Sequence, residues 1–231
     1  MADHHGLVPL VSVTTIEATH LFRFFHSAAS ETFALRDVSL EVDGGDLVAI
    51  TGPSGSGKST LLNCLAGLDV PDGGTVRIEG LSISRLGEPE RAAVRARSIG
   101  VVLQTANLLR SLTVREQLEL AQRFGRRVDR VRARFLLDRL GIDQRADARP
   151  GELSGGELVR AALAGALAND PLVILADEPT GELDAATAAM TVSLLRQCAD
   201  DGAAVLIVTH AQAVAHAADR ELVLADGRLA P

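Results

Sequence analysis

Residues 47–59 read Leu-Val-Ala-Ile-Thr-Gly-Pro-Ser-Gly-Ser-Gly-Lys-Ser, and this stretch decides the fold. Leu47 to Ile50 is a short unbroken apolar run, the pattern of a strand buried on both faces. Gly52-Pro53-Ser54-Gly55-Ser56-Gly57-Lys58-Ser59 follows and fits GxxxxGK[ST]. Glycines let such a loop curl so that backbone N–H groups converge on a phosphate, and the helix start behind it adds positive potential. A helix is predicted from Lys58 to about Ala66, so the motif lies between strand and helix, the context that gives it meaning. Lys58 is the only lysine of the chain; every other long cation is arginine. A compact ammonium reaching the β- and γ-phosphates accounts for that exception. Ser59 offers its hydroxyl to Mg²⁺, with Thr60 beside it.

Outward from this loop the chain alternates strand and helix. Strands are predicted at Val11–Thr15, Phe33–Val42, Thr75–Glu79, Ile99–Leu103, Leu172–Ala176 and Ala203–Thr209. Helices are predicted over Arg91–Arg97, Val114–Phe124, Val128–Leu140, Gly156–Leu167 and Ala185–Ala199, with a closing hairpin over Glu221–Leu229. Asp43-Gly44-Gly45-Asp46 and Pro71-Asp72-Gly73-Gly74 read as turns. The fold class expected is α/β: a P-loop core with a mainly parallel sheet, an N-terminal antiparallel β subdomain and an inserted α-helical subdomain. The 231 residues are expected to form one domain in three stretches, 1–84, 85–149 and 150–231.

Four apolar runs end in polar groups: Leu47–Ile50 in the glycine loop, Ile99–Leu103 in Gln104, Leu172–Ala176 in Asp177-Glu178, and Ala203–Thr209 in His210. Ligands of parallel α/β sheets bind beyond the carboxyl ends of the strands, so these groups are expected to share one crevice. Neighbouring residues at a strand end point in opposite directions. Asp177 therefore suits a Mg²⁺ shell, and Glu178 suits a base that deprotonates an attacking water. Paired acids after an apolar run also serve as helix caps; the phosphate loop favours the catalytic reading. Leu153-Ser154-Gly155-Gly156-Glu157 presents a hydroxyl and two bare N–H groups at a helix start, a second anion site.

With these motifs in this order, the chain resembles the ATP-binding-cassette family, whose signature is LSGGQ or LSGGE. The resemblance covers nearly the whole chain. It implies an ATPase subunit that works with ATP and Mg²⁺, closes as a dimer with a second copy of itself and drives separate integral membrane permease subunits. Ser154, Gly155 and Gly156 of one copy are then expected to cover ATP held by the phosphate loop of the other. Gln104 resembles the residue that touches Mg²⁺ and water and senses the membrane partner. Pro179–Asp184 resembles the stretch that places Asp184 near the dimer seam, and His210 the histidine that contacts the γ-phosphate. Members stack an aromatic ring on adenine. This chain has neither Tyr nor Trp, so Phe25 is the candidate and Phe24 the fallback, and core packing is the alternative for either. Asn107-Leu108-Leu109, Leu112-Thr113-Val114 and the Asp-Glu-Pro-Thr-Gly wording resemble one branch, containing lipoprotein-releasing, macrolide-exporting and cell-division ATPases. Leu158, Val159, Gly165 and Ala211 depart from residues usual in the family. None of them removes a phosphate- or metal-contacting group.

Composition bounds what else the chain does. No apolar run approaches the roughly 18–20 residues that span a bilayer. The first nine residues lack a basic region followed by an apolar stretch, so a cytoplasmic protein is expected, held at the membrane through its permease. Cys64 and Cys198 form no CxxC pair and read as buried thiols. His4 and His5 read as part of a terminal tail. Net charge is uneven: −6 over residues 1–84, +7 over 85–149 and −8 over 150–231. The basic middle is either a face turned to anionic headgroups or an acidic partner, or an Arg-rich solvated surface. Nucleic acid is not expected as a partner.

Overall fold

The computed structural model describes residues 14–27, 30–104, 107–181 and 183–230. Its elements in chain order are β1 (Thr14–Ser27), β2 (Ser30–Asp43), β3 (Leu47–Thr51), α1 (Lys58–Leu65), β4 (Gly73–Ile78), β5 (Leu81–Ser82), α2 (Glu88–Ser98) and β6 (Ile99–Val102). There follow α3 (Val114–Phe124), α4 (Arg130–Arg139), α5 (Gly155–Ala166), β7 (Val173–Asp177), α6 (Ala185–Asp200), β8 (Ala204–Val208), α7 (Gln212–His216), β9 (Arg220–Ala225) and β10 (Arg228–Leu229). His4, His5 and Val11–Val13 lie outside the described residues.

A six-stranded sheet runs in the order β10-β9-β3-β8-β7-β6, and β9, β3, β8, β7 and β6 are mutually parallel. All residues of β3, β7 and β8 are buried, as unbroken apolar runs require. Their side chains divide by parity between two cores. Val48, Ile50, Val173, Leu175, Leu206 and Val208 face α1 and the antiparallel sheet. Leu47, Ile174, Ala176, Val205 and Ile207 face α3, α4, α5 and α6. The second sheet has the order β2-β1-β4-β5 and is antiparallel throughout. It covers α1 through Ile16, Leu21, Leu35 and Val38.

The helical stretch is capped as its sequence dictates. Thr113 accepts from Glu116 N–H, and Glu116 accepts in return from Thr113 N–H at 2.8 Å, a capping box that starts α3. Asp129 caps α4 by accepting from Arg132 N–H at 2.9 Å. Buried Gln117 holds the 109–112 loop to α3 by donating to Leu109 O at 2.6 Å and accepting from Leu109 N–H at 3.2 Å. Strand β6 lies inside the 85–149 stretch yet pairs with β7, so the core sheet extends into it.

Both strands of the N-terminal pair are longer than expected. The 11–15 prediction falls at the start of β1, which continues for a dozen residues beyond Thr15. Asp177, Glu178 and His210 stand at or just past the carboxyl ends of β7 and β8, as the apolar runs require.

Candidate nucleotide site

The loop between β3 and α1 is held open by close backbone approaches that leave no space for side chains. Gly57, at φ +103, would place a Cβ 2.1 Å from the Ala34 carbonyl oxygen of β2. Gly52 would place one 2.0 Å from the Leu224 carbonyl oxygen of β9. Beneath the loop, Gly227 N–H donates to Ser56 O at 3.1 Å, and Arg36 N–H donates to Gly227 O at 2.7 Å. A trans peptide sets C=O and the next N–H on opposite sides. Pinning the Ser56 carbonyl downward therefore turns the Gly57 N–H the other way, toward the loop interior. Gly227, Ala34 and Arg36 carry no motif, so this pedestal escapes a reading of the sequence. Its only trace there is a turn at Asp226-Gly227 within the closing hairpin.

Lys58 Nζ donates to Gly52 O and Pro53 O, both at 2.9 Å, so the ammonium spans the mouth of the loop. The Ser56 hydroxyl is buried without a hydrogen-bond partner among the described residues. The Asp177 carboxyl pKa is raised by burial and by the neighbouring Glu178 charge, with the Ser59 hydroxyl and Lys58 opposing. Glu178 takes φ +48, leaving the strand direction just after Asp177. Its N–H donates to Val208 O at 2.9 Å, and its carboxylate contacts His210 Nδ1 at 2.8 Å. The two acids thus differ in surroundings: Asp177 is buried beside the loop, while Glu178 meets an exposed imidazole.

Lys58, Ser59, Thr60, Gln104, Asp177, Glu178 and His210 line one cleft of about 540 Å³, together with Gly52, Ser54, Gly55, Gly57 and Phe25. The crevice expected from the strand ends is therefore formed. Phe25 is 44% exposed on its wall, with the Arg23 guanidinium 4.7 Å from the ring centroid. Arg23 is fixed in turn by Asp69 and Asp72. Phe24 does not line this cleft: half-buried, its ring packs against Phe33 at 5.8 Å and 55°, but Phe33 is itself exposed and neither ring belongs to the core. Pro53 and Ser56 belong to the loop without lining this cleft; they hold Lys58 and Gly227 through their carbonyls.

Ser154, Gly155, Gly156 and Asp184 are not brought to this cleft. Ser154 caps α5 in a box with Glu157, and Gly155 lines an adjoining cleft of about 840 Å³ with Leu158, Val159 and Leu183, which shares only Gln104 and Glu178 with the first. Glu157 accepts from Ser154 N–H at 2.8 Å and pairs with Arg145 at 2.9 Å. These contacts hold its carboxyl at a pKa of about 2. Asp184 caps α6, accepting from Ala186 and Thr187 N–H groups and from the Thr187 hydroxyl at 2.6 Å. Glu182, inside the 179–184 stretch, lies outside the described residues. Gly165 has open space where a Cβ would stand and floors a third cleft of about 550 Å³ between α2, α3 and α5.

A phosphate-binding loop between strand and helix, with an Asp-Glu strand end beside it, defines a P-loop α/β nucleotide-binding protein. The family described as ABC transporter matches residues 35–181. The chain belongs to this ATP-binding-cassette family and is an ATP-binding ATPase. It is 39% identical over 217 residues to the ABC transporter ATP-binding protein MJ1508 of Methanocaldococcus jannaschii, covering 93% of this chain and 97% of that one. It is 43% identical over 220 residues to the lipoprotein-releasing system ATP-binding protein LolD of Bordetella pertussis, covering 94% and 95%. Against the macrolide export ATP-binding/permease protein MacB of Salmonella typhimurium, identity is 40% over 93% of this chain but 34% of MacB. The cassette MJ0796, solved as a dimer in a post-hydrolysis state with ADP and Pi, superposes with a TM-score of 0.87 at 36% identity, covering 94% of this chain and 97% of that one. Among the described residues no helix is long and apolar enough to cross a membrane.

Proposed function

We propose that the chain powers a separate membrane permease, of the efflux, lipoprotein or lipophilic-substrate type, by closing on ATP with a second copy of itself. The observation that carries this is the separation of two anion-binding elements. The phosphate loop lines one cleft, and the Ser154-Gly155-Gly156 helix start, in the same chain, is absent from it. A second copy would supply the missing half, and the dimeric state of MJ0796 supports that arrangement.

In this reading Lys58 leaves the Gly52 and Pro53 carbonyls for the β- and γ-phosphates, while the loop N–H groups and Thr60 hold the phosphate tail. Phe25 stacks on adenine with Arg23 on its other face. Ser59 and Asp177 hold Mg²⁺, with Gln104 reaching the same shell. Among the described residues no three acidic, His or Cys side chains cluster to hold a metal alone. That suits Mg²⁺, which keeps waters and takes phosphate oxygens among its ligands. Bound there, the ion neutralises charge on the phosphates. Glu178 takes the proton of the attacking water, and His210, docked on Glu178, aims at the γ-phosphate. Asp184 and the signature of the second copy close the seam.

The 550 Å³ cleft is the candidate permease dock. Ala92, Ala96, Leu103, Phe124 and Gly165 give it an apolar lining, and glycine in place of a long side chain deepens its floor. The 85–149 stretch then meets the partner, and the chain works at the inner face of the cell membrane. The test is to express tagged Glu178→Gln in the native host, solubilise membranes with Mg-ATP and identify what co-purifies. A stoichiometric multi-span permease is expected. Recovery of the chain with no membrane partner would favour a cassette that does not serve a transporter.

A further inference from the structure

Residues 123–135 read Arg-Phe-Gly-Arg-Arg-Val-Asp-Arg-Val-Arg-Ala-Arg-Phe: six arginines against one acid. They span the end of α3, its connection to α4 and most of α4. Ala133, Leu136 and Leu137 of α4 are buried, which leaves the opposite face outward. That face carries Val131 at 81% exposure and Phe135 at 50%, one helical turn apart, with Phe124 at 67% and Val128 at 47% beside them. Arg123, Arg126, Arg127, Arg130 and Arg134 are exposed among these apolar groups. The acids that face them are few. Asp129 caps α4 and meets Arg127 at 3.4 Å, Glu119 meets Arg130 at 3.8 Å, and Asp138 lies at the far end. Arg123, Arg126 and Arg134 make no ion pair among the described residues.

We propose that this face rests on anionic phospholipid headgroups. Cations interleaved with exposed apolar side chains on a short amphipathic helix fit the boundary between headgroup and acyl chain. Val131, Arg130, Arg134 and Phe135 line none of the three clefts described above. At its edge Arg127, Asp129 and Arg132 border a small cleft of about 160 Å³, but the surface of Val131 and Phe135 lines none of these clefts and matches a plane of negative charge. Its position fits as well: Phe124 and Arg126 also line the candidate permease dock, so a permease seated there brings the bilayer to this side. From the proposed function the inference takes that the chain works at a membrane and where a permease sits on it. The net charge of −7 does not oppose it, because screening over about 10 Å at 0.1 M salt leaves the bilayer sensing the nearest charges alone.

The test is sedimentation of the purified chain, without permease, with vesicles of phosphatidylcholine or of phosphatidylcholine mixed with phosphatidylglycerol. Binding is expected to the mixed vesicles only, declining as salt rises. Arg123→Glu/Arg130→Glu/Arg134→Glu is expected to weaken it by about a hundredfold or more, since each cation near an anionic surface contributes several-fold. Val131→Ser/Phe135→Ser is expected to remove the part of binding that survives high salt. Both variants keep basal ATP hydrolysis, which shows that they fold. Equal binding to both vesicle types, no binding at low salt, or undiminished binding by the charge-reversed variant would each overturn the proposal. So would retention on an acidic protein or on DNA with none on vesicles. Capture by Glu178→Gln reads the permease separately, so failure of either idea is visible apart from the other.

Discussion

Gly57→Ala isolates what the phosphate loop needs from its surroundings. The added methyl would lie 2.1 Å from Ala34 O and 3.2 Å from Ala34 C, both backbone atoms of β2. Relief requires the loop or the strand to move by about 1 Å, a misplacement that costs on the order of 100-fold in catalytic efficiency. The left-handed backbone at φ +103 adds about 1–2 kcal/mol for any L side chain. Gly55→Ala is the control, because Gly55 has φ +77 and nothing within 4 Å of where the new methyl would stand. It carries the conformational cost of about 1–2 kcal/mol alone. At roughly 2–4 °C per kcal/mol for a chain of this size, both variants should melt a few degrees lower. They should part in function. Titration with a fluorescent ATP analogue and phosphate release should show Gly57→Ala losing about 100-fold in kcat/KM, with Gly55→Ala within several-fold of wild type. Equal losses in the two variants would refute the claim that contact with β2 shapes the loop.

Two further outcomes follow from titrating groups. Burial raises the Asp177 pKa, so the fold favours its protonated form, and the stability this provides is lost as pH rises through the folded-state value. At neutral pH the ionised carboxylate is therefore a burden on the nucleotide-free protein. Asp177→Asn should melt higher than wild type by differential scanning calorimetry while losing any Mg²⁺ dependence of nucleotide binding; a lower melting point would contradict the assignment. Glu157, at a pKa of about 2 through Ser154 N–H and Arg145, contributes stability that is present above its ordinary value of 4.5 and is lost as pH falls through about 2. Carboxyl NMR should show no titration of Glu157 between pH 5 and pH 3, by the shift its cap implies, and Arg145→Ala should bring that titration upward.

The parallel core was legible because its strands are buried on both faces and so appear as unbroken apolar runs. The loop, Gln104, Asp177-Glu178 and His210 were legible because each terminates such a run. The N-terminal antiparallel sheet was legible too, but the full length of its first two strands was hidden for a different reason. A strand buried on one face should alternate, yet in β1 the buried positions change from Ile16 and Ala18 to Leu21, an even-to-odd switch. It occurs at His20, whose φ is +50. In β2 the switch is from Leu35 to Val38, across Asp37 at φ +62. The two irregular residues face each other, His20 Nδ1 lying 2.6 Å from Asp37 Oδ1. A bulge inserts one residue and reverses the phase of everything after it, so matched bulges in paired strands keep both faces correct while erasing the period-two signal. The pedestal under the loop was hidden more deeply, because Ala34 and Gly227 act through backbone atoms that any sequence possesses.

The basic middle of the chain shows how a charge sum can be read in sequence while its placement cannot. Its surplus of +7 over 85–149 is compatible with a uniformly solvated Arg-rich surface. Pairing divides it. Arg91 and Arg95 both meet Glu88, Arg115 meets Asp147, Arg132 meets Asp170, Arg139 meets Asp201, and Arg145 meets Glu157. Several of these partners come from outside the stretch, so the acidic flanks neutralise the block where it abuts the core. Exposed pairs of this kind add little stability, typically about 0–1 kcal/mol each, but they cancel the field around them. Among the described residues Arg85, Arg97, Arg110 and Arg149 also make no ion pair, but they are scattered along the sequence. The densest unpaired group, Arg123, Arg126 and Arg134, lies at the end of α3 and the outer face of α4. That is also where Phe124, Val131 and Phe135 stand in water. A surface selected only for solubility has no use for large apolar groups among its free cations, because each exposes area that charge alone would keep hydrated. The coincidence of unpaired arginine with exposed phenylalanine and valine is what separates a contact surface from a solvated one.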